Sequence, residues 1–187
     1  MQRLVFALLV VVPLLNGCAP LVVGGAAATG VVMAEDRRTV GTITEDQAIE
    51  LKASNRIGDR TKNGHVSVTS YNRMVLLTGE VPDAAAKAAA DKAAQSVENV
   101  RSVLNELAVG PNSALSARAN DSYLTSLVKA RFVDAQRFNP VHVKVVTEAS
   151  VVYLMGLVTR KEADAATEIA RTTRGVRRVV RVFEYLD

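Results

Sequence analysis

From residue 35 onward, apolar and polar positions alternate as two copies of one five-element unit. Asp46 to Ile57 and Asp121 to Val133 carry apolar residues at helical spacing, each with an acidic residue near its start to cap the helix or complement its dipole. Val66-Ser67-Val68 and Val143-Lys144-Val145 alternate like half-buried strands, and Val75 to Val81 and Val151 to Val158 are longer, β-branched strand candidates. Ser70 to Arg73 and Glu148 to Ser150 lie between those strands as hairpin turns. Ala84 to Ala94, behind Pro82-Asp83, is dense in the best helix former, and its counterpart Lys161 to Thr173 carries Ala163, Ala166 and Ala170 on one face. Val100 to Val109 and Val176 to Tyr185 close the units as strands. The order α-β-β-α-β predicts an α+β fold: a small sandwich with helices on one face of a three-stranded sheet.

The duplication is also visible residue by residue. His65-Val66-Ser67-Val68 returns as His142-Val143-Lys144-Val145, and Val75 to Val81 returns as Val152 to Val158. Asn99-Val100-Arg101-Ser102-Val103 matches Gly175-Val176-Arg177-Arg178-Val179, and Asp46 and Ile49 match Asp121 and Leu124. Two domains are expected, residues 35–109 and 120–187. The linker over 110–119 contains Gly110-Pro111-Asn112-Ser113, a run of loop composition.

The chain upstream reads differently. Met1-Gln2-Arg3 is a short positive start, and Leu4 to Leu15 is an apolar run. A membrane-crossing helix needs about 20 apolar residues, so residues 1–17 fit a secretory signal instead. The run ends in Leu15-Asn16-Gly17-Cys18, which resembles the bacterial lipobox: an aliphatic residue, a tolerant position, a small residue for the peptidase pocket, then the cysteine whose thiolate takes the diacylglycerol. Lipidation is therefore expected at Cys18. Ala19 follows where such lipoproteins carry Asp for inner-membrane retention, so the outer membrane is the expected destination. Residues 19–34, uncharged and small with Gly24, Gly25 and Gly30, predict a flexible tether of about 20–25 Å.

Composition narrows the chemistry. A hydrophobic content of 49% supports a packed core, while 4% aromatics without Trp is a poor supply for stacking single-stranded nucleic acid. One Cys excludes an internal disulfide framework, and the two His, in different domains without acidic or thiol companions at ligand spacing, predict no metal site. There is no Gly-x-Ser-x-Gly elbow and no glycine-rich phosphate loop before a strand, so neither an enzyme nor a cofactor is expected. Gly79 and Gly156 read as structural glycines, where a side chain would strike the packed helix or where a bulge sits, with ligand contact as the alternative.

Charge is unevenly spread. Residues 35–109 hold 10 basic and 11 acidic side chains, whereas residues 120–187 hold 11 basic and 8 acidic. Arg171, Arg174, Arg177, Arg178 and Arg181 fall close together. They read either as a solvated helix end with a charge-protected edge strand or as a surface for phosphate groups. The secretory signal removes nucleic acid from the expected partners and leaves anionic phospholipid.

The aliphatic-x-Gly-x-Val strands Leu77 to Val81 and Leu154 to Val158, each followed by an Ala-rich helix and an Asn/Gly-Val-x-x-Val element, resemble the BON domain. Lipobox, tether and two such copies together resemble outer-membrane lipoproteins of Gram-negative bacteria that bind lipid and are associated with division and envelope stress. The resemblance implies a non-enzymatic protein that maintains envelope integrity, localises to the division site and contacts outer-membrane assembly or peptidoglycan-remodelling proteins. A protein–protein adaptor that never touches lipid is the competing reading.

The expected lipid site lies on the first helix of the second domain. Leu124, Val128 and Phe132 form the core stripe, with Tyr123 and Leu127 on its flank. Lys129 points away from the core, Arg131 has to snorkel, and Arg174, Arg177 and Arg178 add positive charge. Packing of Tyr123 and Leu127 against the other domain is the alternative.

Overall fold

The computed structural model describes residues 35–58, 61 and 64–187. The signal, Cys18 and the tether lie outside the described residues. Arg37–Asp187 form one compact unit holding both repeats. In the first, helix α1 (Val40–Gly58) precedes the hairpin β1 (His65–Tyr71) and β2 (Met74–Val81), followed by helix α2 (Ala84–Gln95) and strands β3 (Ser102–Asn105) and β4 (Ala108–Val109). In the second, helix α3 (Leu115–Ala135) and a 3-10 turn (Pro140–His142) precede β5 (Val143–Glu148), β6 (Val151–Val158), helix α4 (Arg160–Arg171) and β7 (Arg178–Tyr185). Each sheet has its hairpin's second strand in the centre, antiparallel to the first strand and parallel to the last.

Three local details depart from the sequence expectation. Helices α1 and α3 begin several residues early, at Val40 and Leu115, so the segment expected as a linker is helical from Leu115. Those first turns are solvent-facing, with Leu115 81% exposed, and therefore carry no apolar periodicity to read. The strand expected over Val100 to Val109 is broken in two. Asn105 donates from Nδ2 to the Lys87 carbonyl and accepts from the Leu107 N–H, a local turn that lets Leu107 enter the core.

The third departure concerns Asp46 and Asp121. They sit well inside their helices, buried, and cap the hairpins rather than the helices. The Asp46 carboxylate accepts from the Asn72 and Arg73 N–H groups at 2.8 and 2.7 Å, the Ser70 hydroxyl at 2.7 Å and the Arg38 guanidinium at 2.9 Å. Asp121 accepts from the Ala149 and Ser150 N–H groups, both at 2.8 Å. Both turns hold non-glycine residues at positive φ, between 50° and 65°, as two-residue hairpins demand. The buried carboxylates hold each turn against that strain.

Side-chain alternation along the central strands sends two apolar sets to opposite faces. Val75, Leu77 and Val81 pack with Ile49, Ala53, Ile57 and the Ala90, Ala93 and Ala94 face of α2. Val152, Leu154 and Val158 pack with Val128, Phe132 and the Ala163, Ala166 and Ala170 face of α4. On the other faces, Tyr71 and Leu76 of the first sheet meet Tyr153, Met155 and Val182 of the second in a third apolar cluster. The two sheets therefore lie back to back with helices outside, which explains why β2 and β6 are apolar at consecutive positions. Lys144 to Glu50 at 2.8 Å and Asn72 to Glu184 at 2.8 Å add polar ties between the repeats.

Arg37 adds another tie. Its guanidinium donates to both Glu162 oxygens at 2.7 and 2.9 Å and to the Leu157 carbonyl, while Thr159 and Glu162 form a capping box at the start of α4. Burial alone would push the Glu162 carboxyl up, but the bonds from Arg37 and Thr159 outweigh it and bring it down to about 2. A folded value below the ordinary 4.5 contributes stability that is present above pH 4.5 and lost as pH falls towards 2. Glu162→Gln is expected to cost about 1–2 kcal/mol at pH 7, the scale of a lost cap. In thermal melts, the gap to the unsubstituted chain should close between pH 4.5 and 2. A gap of equal size at pH 7 and near pH 2 would contradict this.

Candidate functional site: the outward face of the first helix of the second repeat

Helix α3 buries Leu124, Val128 and Phe132 against its own sheet. With about 100° of rotation per residue, the opposite side carries Leu115, Ala119, Ser122, Tyr123, Ser126, Ala130 and Val133. That face has no charged residue. Leu115, Tyr123 and Val133 are 81%, 63% and 60% exposed, an arrangement that costs solvation unless something apolar covers it. Its serines are already satisfied: Ser122 Oγ donates to the Arg118 carbonyl at 3.1 Å and Ser126 Oγ to the Ser122 carbonyl at 3.0 Å. Hydroxyls folded back on the helix lose little when water is removed.

Tyr123 is thus exposed, and Leu127 is half-buried on the flank nearest Leu124. The loop after α4 packs on that flank. Gly175, at φ +96°, lies so close that an added Cβ would come within 2.9 Å of Leu124 Cδ2. This brings the arginine-rich loop beside α3. Arg174 and Arg177 in the loop and Lys129 on α3 are exposed and make no side-chain hydrogen bond or ion pair among the described residues. Three cations therefore flank an apolar stripe, with one exposed carboxylate, Asp134, at the C-terminal end of its Leu127 side.

The other two cations named from sequence are used internally. Arg131 does not snorkel to the surface; it donates to the Ile169 carbonyl at 3.0 Å and to the Thr173 hydroxyl at 2.7 Å, closing the C-terminal end of α4. Arg178 reaches Glu106 of the first repeat at 3.5 Å, an acceptor shared with the Tyr153 hydroxyl. Burial and the charge of Glu106 push that phenol up to about 12, so it stays neutral and donates. Elsewhere on the basic stretch, Arg171 pairs with Glu168 and Arg181 with Asp164.

A Cβ at either structural glycine would meet backbone at the entry to an edge strand, not the packed α-helix. A Cβ at Gly79, where φ is +112°, would lie 2.0 Å from the His65 carbonyl oxygen; one at Gly156 would lie 2.3 Å from that of His142. In both repeats the glycine admits the backbone that enters the edge strand.

A polar cluster at one end of the back-to-back sheets was not foreseen from sequence. His65 on β1, Glu80 on β2 and Glu148 at the end of β5 bring one donor atom each within 4.8 Å of one another. His65 Nδ1 and Glu80 Oε2 are 3.8 Å apart, buried, and without a hydrogen-bond partner among the described residues. Burial and repulsion from Glu80 and Asp121 push the Glu148 carboxyl up to about 6, against a hydrogen bond from Thr78 and the attraction of Arg118. The absence of acidic companions for His65 held only along the sequence; the fold supplies them. Glu80, a charge inside the otherwise apolar β2, is the signal that pointed to it.

The BON domain model matches residues 45–111 and 120–187, one match per repeat. An "Outer membrane lipoprotein DolP" of Haemophilus influenzae is 41% identical over 177 residues, covering 92% of this chain and 91% of that protein. A "21 kDa hemolysin" of Actinobacillus pleuropneumoniae is 30% identical over 81% of this chain and 80% of its own length. The "Osmotically-inducible protein Y" of Escherichia coli is 34% identical over 75% of this chain and 72% of its own. With both repeats matched and the shared length nearly complete, this chain belongs to the BON domain family.

Proposed function

We propose that this chain is a non-enzymatic lipoprotein, anchored through acylated Cys18 in the periplasmic leaflet of the outer membrane, whose second BON domain binds anionic phospholipid. The observation that carries the reading is the exposed, uncharged face of α3 flanked by Lys129, Arg174 and Arg177. Tyr123 suits a bilayer interface, its ring apolar and its hydroxyl wet, and each nearby cation is worth about 1 kcal/mol at an anionic surface. Acyl chains on Cys18 would already supply attachment, so the helix contact serves lipid choice and orientation. The lipobox-like Leu15 to Cys18 and the outer-membrane lipoprotein relative support the anchor and its location. On this reading the protein serves envelope integrity, with enrichment at the division site.

Vesicle flotation of the unacylated fragment 35–187 tests it. Binding is expected to anionic vesicles and to weaken with salt. Tyr123→Ala with Leu127→Ala should lower the affinity at least about tenfold while leaving the circular dichroism unchanged. Arg174→Ala with Arg177→Ala should weaken it about tenfold or more at low salt. Undiminished binding by the folded Tyr123/Leu127 double variant would remove the helix from the site. No binding by the unsubstituted fragment would favour an adaptor that docks envelope proteins through the same face.

A further inference from the structure

We propose that His65, Glu80 and Glu148 form a binding site for one divalent transition cation of the zinc type, joining the two repeats. The site is built from three strands: β1 and β2 place an imidazole and a carboxylate from the first repeat, and β5 places a carboxylate from the second. Glu80 is only 8% exposed, and its Oε2 is aimed at His65 Nδ1 with no hydrogen bond to hold it. Two unpartnered buried polar atoms facing each other cost stability unless a third body satisfies both. A proton can serve one of them; a cation serves all three donors at once.

The donor set selects the kind of ion. One imidazole nitrogen and two carboxylate oxygens make a three-ligand site of the type zinc accepts, with a fourth position left for water. Calcium takes six to eight oxygens and magnesium keeps most of its waters, and neither seeks an imidazole. Donors around a tetrahedral zinc are about 3.3 Å apart, so the present spread of up to 4.8 Å closes by side-chain rotation of the two glutamates. Access is provided by a cavity of about 220 Å³ that opens between β1, β5 and α3 beside His65 and Glu148. Arg118 lies on its wall as an opposing charge, and Asp121 lies there too, so the carboxylates around the site outnumber the cation.

The equivalent position in the second repeat lacks this arrangement and serves as the internal control. His142 Nδ1 faces Glu162 Oε1 at 3.4 Å, but that carboxylate is already held by Arg37 and Thr159.

Titration calorimetry with zinc chloride on the full chain carrying Cys18→Ser, which has no thiol to compete, tests the proposal. The expected result is one zinc per chain, a melting temperature raised by zinc, and affinity at least about tenfold weaker in each of His65→Ala, Glu80→Gln and Glu148→Gln. The two glutamine variants keep side-chain shape, so a folding failure of His65→Ala leaves the test intact. His142→Ala should bind as the parent does. Uptake of much less than one zinc, parent-like affinity in Glu148→Gln, equal loss in His142→Ala, or displacement by equimolar magnesium would each overturn it.

Discussion

Gly79→Val is expected to abolish cooperative folding of the first sheet, at a cost above about 3 kcal/mol, and Gly156→Val to do nearly the same to the second. The added Cβ at residue 79 would stand 2.0 Å from a backbone oxygen, and that oxygen belongs to a strand pinned by its ladder to β2. A flexible side chain could swing away; a ladder carbonyl cannot move without losing its hydrogen bonds. Residue 79 also needs φ +112°, which a β-branched residue rarely adopts, so it should be the worse of the two sites. Because the sheets share an apolar cluster through Leu76 and Met155, damage in one should lower the melting of the other. Calorimetric melts of both variants check this. A melting temperature within about 2 °C of the parent, together with lost vesicle binding, would instead identify the glycine as a ligand contact.

Asp46→Ala is expected to cost about 3–5 kcal/mol, and Asp121→Ala less, measured by urea unfolding. Asp46 gathers two turn N–H groups, the Ser70 hydroxyl and the Arg38 guanidinium, whereas Asp121 gathers two N–H groups. Removing either carboxylate leaves a turn at positive φ with buried donors facing nothing, and removing Asp46 also takes from the half-buried Arg38 guanidinium its bond to that carboxylate. Asn at position 46 keeps an acceptor and should recover part of the loss. A cost below about 1 kcal/mol for Asp46→Ala, or a larger one for Asp121→Ala, would break this account.

Asp46 and Asp121 also mark where sequence reasoning reached and where it stopped. Their equivalence was legible, because the duplication aligns them, and so were the hairpins, the alanine-faced helices and the glycines. Their role was not. Helix starts were placed where apolar periodicity begins, yet Val40 and Leu115 start turns that lie mostly in solvent, so two carboxylates deep in a helix looked like residues at its edge. The glycines were expected against the packed helix or at a bulge, and their nearest neighbours are instead the His65 and His142 carbonyl oxygens, since a pattern of residues does not say which backbone comes closest. The back-to-back sheets, and with them the His65, Glu80 and Glu148 cluster, depend on contacts between repeats that no spacing encodes. The two-sided apolar character of β2 and β6 was their trace in sequence. The exposed stripe of α3 was legible in part: Tyr123 was singled out, with Leu127 on its flank, while Leu115 and Ala119 fell outside the expected helix and Ala130 and Val133 lay within it unremarked.

Tension on the chain upstream of Arg37 meets the Arg37–Glu162 fork before it meets α1. Pulling on that fork loads the capped start of α4, in the repeat whose α3 face is exposed, while Arg38 beside it ties the same segment to Asp46 of the first repeat. If the anchor is at Cys18 and the α3 face meets lipid as proposed, a drifting or bending membrane would tug, through that fork, on the same repeat that meets lipid.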